Sequence, residues 1–279
     1  MKGRPSWAVK PDYPDDLFRG AAENYAAYRV PYPRSLLEDL LQRSRARGDG
    51  LLVDLACGTG QIAIPLAPHF RRVLAIDREA EMLAVGHRKA ALAGIGNIDW
   101  QVGLAEDAAI EDESCELVAI GNAFHRLDRF LVAETCRRWL CPGGCLAILG
   151  SSSLYSGTEP WQLAAAEVVR KWIDGDSRHK VPSLANGTAA DSQPHLTHQA
   201  VLERLNFAGV AEYSFPVRHR WSLPELIGYV GSLSGASPLL LGDRFELLKR
   251  ELESRLTPYA TDDGFEETIE FYYILWRKT

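Results

Sequence analysis

Two acids and two glycines stand along this chain where a small ligand could be held. Asp54 closes an apolar run, Gly58 and Gly60 follow in a short turn, and Asp77 closes the next apolar run. A glycine turn between a strand and a helix lets the backbone approach a ligand seated at the helix N-terminus. The stretch Gly58-Thr59-Gly60-Gln61-Ile62-Ala63 fits the loose dinucleotide pattern, and Asp77 stands where a ribose-binding acid belongs. Asp54 favours a different ligand. Beside a pyrophosphate a carboxylate is disfavoured, since like charges at ~4–6 Å oppose ionisation by a pK unit or more. A cationic nucleoside without phosphate would be welcome there, and S-adenosylmethionine has that chemistry. An NAD-dependent oxidoreductase stays as the rival reading.

Alternating short elements must position these groups. Residues 51–55, 72–76, 98–102, 116–121 and 145–149 read as short buried strands. Between them, 34–47, 79–93 and 128–140 read as helices; the first aligns Leu36, Leu37, Leu40 and Leu41 on one face, the last Phe130, Ala133, Cys136 and Leu140. Strands alternating with helices imply right-handed crossovers and a parallel sheet covered on both faces. After Gly150 the rhythm changes. Residues 175–195 are rich in loop formers and read as a connection or lid. Thr197 offers a helix cap, AEYSFPV a strand, and Ser222 with Glu225 a capping box ahead of another helix. The chain closes on the strand-forming run TIEFYYILWRK. Residues 232–238 read as a turn between helices.

The ordered set of motifs resembles the class I S-adenosylmethionine-dependent methyltransferases from about residue 22 to residue 150. DLACGTG resembles the family's glycine-rich loop, with Ala56 in place of the usual first glycine. AIDRE supplies Asp77 for the ribose hydroxyls, with Arg78 beside it, and Met82 matches a position that packs on the adenine. VGLAED resembles the segment reading the adenine edge; Leu104 stands where an aspartate is common, which leaves Ala105 and Glu106. VAIGNAFHRLD matches the fourth strand and the residues after it, and RRWLCPGGCLAIL the hairpin before the fifth.

The resemblance implies a Rossmann-like α/β fold: a mostly parallel seven-stranded sheet with helices on both faces, an N-terminal lid and a helical substrate cap. The whole chain, 1–279, is expected to be one domain, with a lid at 1–33, a cofactor core at 34–150, and a cap with the final strands at 151–279. S-adenosyl-L-methionine would lie across Asp54, Ala56, Gly58, Gly60, Asp77, Arg78, Met82, Ala105, Glu106 and Asn122. Phe124 would shape the acceptor pocket, and His125 could take the acceptor's proton. The alternative for His125 is a hydrogen bond to backbone nearby. Tyr25, on the lid helix with Tyr28, would close over the methionine end or the acceptor, with Phe18 and Arg29 as further candidates. Trp161, Trp172 and Trp221 are candidates for the cap or for plain core.

Other classes are disfavoured. The 279 residues carry 31 Lys+Arg against 37 Asp+Glu, a formal charge of −6, which repels a phosphate backbone. The arginines at 43, 45 and 47 suit a helix end better than a nucleic-acid patch. No apolar run approaches the ~20 residues of a membrane helix, and the N-terminus has no signal-peptide core. Five cysteines without a disulfide framework suit a cytoplasmic protein. His195 and His198 form an H-x-x-H pair without a third ligand, so no metal is expected. Cys141 and Cys145 lack the third cysteine of a radical enzyme, and Asn122-Ala123-Phe124-His125 replaces the signature of amino-type nucleic-acid enzymes. The expected partner is a small organic acceptor methylated on nitrogen or oxygen, with similarity to natural-product and antibiotic-tailoring enzymes. A homo-oligomer and a non-catalytic cofactor-binding protein stay open.

Overall fold

A computed structural model describes residues 13–14, 16–174, 197–261 and 264–278. The expected lid at 175–195, with His195, lies outside the described residues, as does the chain before residue 13. Seven described strands form one sheet: β1 (Leu51–Leu55), β2 (Arg72–Asp77), β3 (Ile98–Val102), β4 (Cys115–Gly121), β5 (Leu140–Ser151), β6 (Ala208–Trp221) and β7 (Phe265–Arg277). Their order is β3-β2-β1-β4-β5-β7-β6. β1 to β5 pair in parallel, while β7 is antiparallel to both β5 and β6. The described helices are α1 (Ala22–Tyr28), α2 (Arg34–Ser44), α3 (Ala63–Leu66), α4 (Ala80–Leu92), α5 (Arg129–Trp139), α6 (Pro160–Asp174), α7 (His198–Arg204), α8 (Leu223–Val230), α9 (Pro238–Leu241) and α10 (Asp243–Leu256).

Continuous apolar strands make sense only if both faces of the sheet are buried. In β4, Leu117 and Ala119 face one core while Val118 and Ile120 face the other. β5 alternates likewise, with Cys145, Ala147 and Leu149 against Leu146 and Ile148. The first core takes in Leu36 and Leu40 of α2, Val169 of α6 and Leu248 of α10; the second takes in Val132 and Cys136 of α5 and Leu202 of α7.

Several boundaries depart from expectation for local reasons. α2 stops at Ser44, three residues short of the expected end at 47, because Arg45 adopts a left-handed conformation at φ 57°. β3 is an edge strand, so it is half-exposed rather than buried. β5 starts at Leu140, and β6 runs well past AEYSFPV, because it pairs with β7 as far as Trp221. The caps hold: Thr197 Oγ1 accepts from Ala200 N at 3.1 Å, and Ser222 and Glu225 form a reciprocal capping box.

Candidate active site

The carboxyl ends of β1, β2 and β4 meet at one edge of the sheet, where open parallel sheets bind ligands. The chain leaves β1 through a tight turn. Ala56 takes φ 52° and Gly58 φ 55°, so one left-handed position is filled by a residue carrying a Cβ. Such a position costs of order 1–2 kcal/mol and marks a conformation the surroundings enforce. Cys57 N–H donates to Ile76 O (3.0 Å), and Gly60 N–H to Cys57 O (2.9 Å).

Asp77 locks this turn to the next element. Its Oδ2 accepts from Gly58 N (2.7 Å) and its Oδ1 from Glu79 N (2.9 Å). Each carboxylate oxygen keeps a further lone pair for a ligand hydroxyl. Burial raises the Asp77 carboxyl above its ordinary range, against the lowering pull of those two backbone donors.

A cavity of about 280 Å³ opens above the turn. Of the expected cofactor positions, Ala56, Gly58, Asp77, Arg78, Met82, Ala105, Glu106 and Asn122 line it, and so does Tyr25. At Gly58 an added Cβ would stand 3.7 Å from the Tyr25 ring, so the glycine faces the cavity mouth under the lid helix. Asn122, at φ 50°, is held by Ser151: Ser151 N–H donates to its Oδ1 at 3.0 Å. Tyr25 packs edge-on against Phe18, with ring centroids 6.2 Å apart.

Four expected positions lie elsewhere. Asp54 is off the cavity wall and only 1% exposed; its Oδ2 accepts from Ala63 N at 2.9 Å and so pins the start of α3. Burial, with the charge of Asp77 adding to it against the Ala63 bond, pushes its carboxyl up to about 8. Its place behind the wall, with the proton favoured by burial, gives it no direct contact through which to select a ligand's charge. Gly60 is also behind the wall: a Cβ there would meet Trp100 at 2.7 Å, so this glycine makes room for packing.

Phe124 is core rather than pocket, 1% exposed, with its ring 5.1 Å from that of His198. His125 lines neither cavity, and its Nε2 accepts from Arg126 Nε at 3.1 Å. Burial, then the charges of Arg126, His198 and Arg129, push His125 down to about 3. A neutral imidazole with its lone pair engaged is a poor proton acceptor. The hydrogen bond it makes is to a neighbouring side chain rather than to the backbone expected as the alternative.

Arg126 is the residue that sequence reasoning missed. It lines the cavity, its guanidinium lies 4.7 Å from the Phe18 ring centre, and its Nη2 donates to Ser234 Oγ at 3.2 Å. The only sequence signal was its place one residue after His125.

A second, smaller cavity of about 30 Å³ shares Tyr25 and Asn122 with the first. Arg29, Trp221 and Glu267 also line it. Trp221 Nε1 donates to Glu267 Oε1 at 2.6 Å. Trp161 and Trp172 are packing residues: Trp161 tilts on Phe265 at 5.4 Å, and Trp172 Nε1 donates to Glu251 Oε2 at 2.8 Å.

A family model described as a methyltransferase domain matches residues 52–144, the segment that runs from β1 into β5 and carries the glycine turn and Asp77. Residues 52–144 thus carry a methyltransferase domain. The chain is 22% identical to a Dictyostelium discoideum protein that carries the name methyltransferase, over 95% of each chain. It is 40% identical to the ubiquinone/menaquinone biosynthesis C-methyltransferase UbiE of Rubrivivax gelatinosus, over 33% of this chain and 36% of that protein. Among solved structures, the YcgJ protein of Bacillus subtilis superposes with a TM-score of 0.52 at 17% identity, covering 88% of this chain and 97% of that one. The last likeness concerns the fold alone. Among the described residues, no group of histidines, cysteines and acids is placed to hold a metal, and no helix is long and apolar enough to cross a membrane.

Proposed function

We propose that this methyltransferase takes the methyl group of S-adenosyl-L-methionine to a nitrogen or oxygen of a small organic acceptor. The observation that carries the reading is the Asp77 carboxylate at the cavity wall, clamped by Gly58 N and Glu79 N with acceptor capacity to spare. A ribose diol fits that group. Met82 and Ala105 offer apolar contact for a base, and Gly58, Ala56 and Asn122 give backbone access for the amino-acid end. When bound, the cofactor supplies a methyl carbon activated by a sulfonium.

The protein's own tasks are then alignment and exclusion of water. Tyr25 lines both cavities, so its helix borders the place where donor and acceptor must meet. No histidine lines either cavity among the described residues, so an acceptor that arrives already nucleophilic suits the site better than one that must lose a proton. That consideration favours a neutral amine nitrogen or an already ionised oxygen over the carbon named for the UbiE relative. The lid and the Ala123–Arg126 segment, through their resemblance to natural-product enzymes, support a biosynthetic role in the cytoplasm. We read 1–279 as one domain, since β6 and β7 complete the sheet begun by β1 and the lid helix α1 packs on both α4 and α8.

Incubation with methyl-labelled S-adenosylmethionine and a panel of amines, phenols and carboxylic acids tests this directly. Labelled product with at least one acceptor is expected. Cofactor binding without transfer to any of them would favour a non-catalytic cofactor-binding protein.

A further inference from the structure

Two guanidiniums stand near Tyr25 without an ion pair among the described residues, although Asp77, Glu79, Glu106 and Glu267 line the same cavities. Arg29 lies 5.0 Å from its ring centre in the smaller cavity, and Arg126 lines the larger cavity that Tyr25 also borders. Neither guanidinium is ion-paired to an acid among the described residues. Arg29 is held by neutral groups: its Nε donates to Ser232 Oγ (2.8 Å), its Nη2 to Ser232 O (3.1 Å), and the Tyr229 ring stacks at 5.0 Å. Arg126 is held by Ser234, His125 and the rings of Phe18 and Tyr13. Its Nη1 is buried with no hydrogen-bond partner.

Holding a guanidinium partly buried without an ion pair is costly, and Arg29 and Arg126 are both half-buried. Burial lowers Arg126 only to about 10, so it remains a cation at neutral pH. The buried serines of the 232–237 turn are built to hold both side chains in place rather than to neutralise them. The cofactor carries one carboxylate and can answer one of the two. Arg29 shares its cavity with Asn122, one of the groups offered to the amino-acid end under the reading above. Arg126 shares its cavity with Ala123 and Leu127, past the end of β4.

We infer that the acceptor is an anion: it carries a carboxylate that docks on the unpartnered Nη1 of Arg126, beside Tyr25. The inference rests on the proposed cofactor reading and narrows its substrate class. The carboxylate is the anchor. A guanidinium offers it two parallel donors, which fixes orientation as well as charge.

Thermal shift of the S-adenosylhomocysteine-loaded protein with acid/amide pairs (benzoate and benzamide, hexanoate and hexanamide) reads this out. At millimolar concentration at least one acid is expected to stabilise the wild type while its amide does not. Arg126→Gln should lose the shift, and Arg126→Lys should keep part of it. Calorimetry with S-adenosylhomocysteine and with 5′-methylthioadenosine, which lacks the carboxylate, separates the two sources. Homocysteine-product affinity of Arg126→Gln within about twofold of wild type is expected. A tenfold loss for that ligand with methylthioadenosine unaffected would assign Arg126 to the cofactor and overturn the inference. So would acids and amides shifting alike, or no acid shifting the loaded wild type at all. Failure of the wild type to bind S-adenosylhomocysteine would instead remove the cofactor reading, and this inference with it.

Discussion

Asp77 serves two masters, the glycine turn and the proposed ribose. Asp77→Asn keeps the shape but loses the charge, and should weaken S-adenosylhomocysteine binding by about 1.5–3 kcal/mol, the value of a charge-assisted bond. An unchanged dissociation constant by calorimetry would take Asp77 out of the site. Asp54 gives a test of a different kind. Its folded pKa, about 8, lies above the ordinary value near 3.8, so the folded chain binds the proton more tightly than the unfolded one. Its contribution to stability is therefore complete below pH ~4 and is lost as the pH rises through about 8. Asp54→Asn mimics the protonated acid and keeps an oxygen for Ala63 N. Its denaturant midpoint should match or exceed that of the wild type at pH 9, with the gap closing towards pH 5. A variant less stable at pH 9 would show that the ionised form is the native one. His125→Gln preserves an acceptor for Arg126 Nε and should keep turnover and the pH profile near wild type. A fall of about 10²-fold would restore the general-base role.

At the scale of elements, the sequence was most legible where periodicity and burial agree. β1 and β3 match their expected bounds, and β2 and β4 gain one residue each. Boundaries failed where tertiary pairing extends an element beyond its own propensity, as β7 does for β6. Arg45 is a related case: its left-handed turn carries no glycine to announce it. Among site residues, those on the turn and strand ends were legible because backbone geometry dictates their type. Phe124, His125 and Arg126 were not, because a short 3-10 turn at Phe124–Arg126 decides which of three neighbours faces the cavity. That turn rotates Arg126 in and Phe124 into the core. The capping box of α8 was legible and is testable: Ser222→Ala should cost about 0.5–2 kcal/mol in denaturant unfolding. The α8 helix also carries Gly228, against which the Tyr28 ring packs too closely to admit a Cβ, so fraying there should loosen the lid. No measurable loss would mean that packing alone holds α8.

For the whole molecule, the fold brings the first and last quarters of the chain to the same edge of the sheet. The lid helix α1 and the 232–237 turn close over a cavity floored by β1, β2 and β4, linked by Arg29 to Ser232 and by Ser237 Oγ to Arg19 O at 2.6 Å. The local pairing of chain ends explains why the acceptor side was hard to read: its groups come from segments more than a hundred residues apart, with no shared spacing. The proposed cofactor side comes from one continuous stretch, in which the expected cavity-lining positions follow one another along the strand ends. The central claim is that this cavity takes a sulfonium nucleoside rather than a dinucleotide. Titration calorimetry of the wild-type chain with S-adenosylhomocysteine and, separately, with NAD⁺ tests it most directly. Saturable one-to-one heat with the first and none with the second is expected; heat with NAD⁺ and none with S-adenosylhomocysteine would contradict the account.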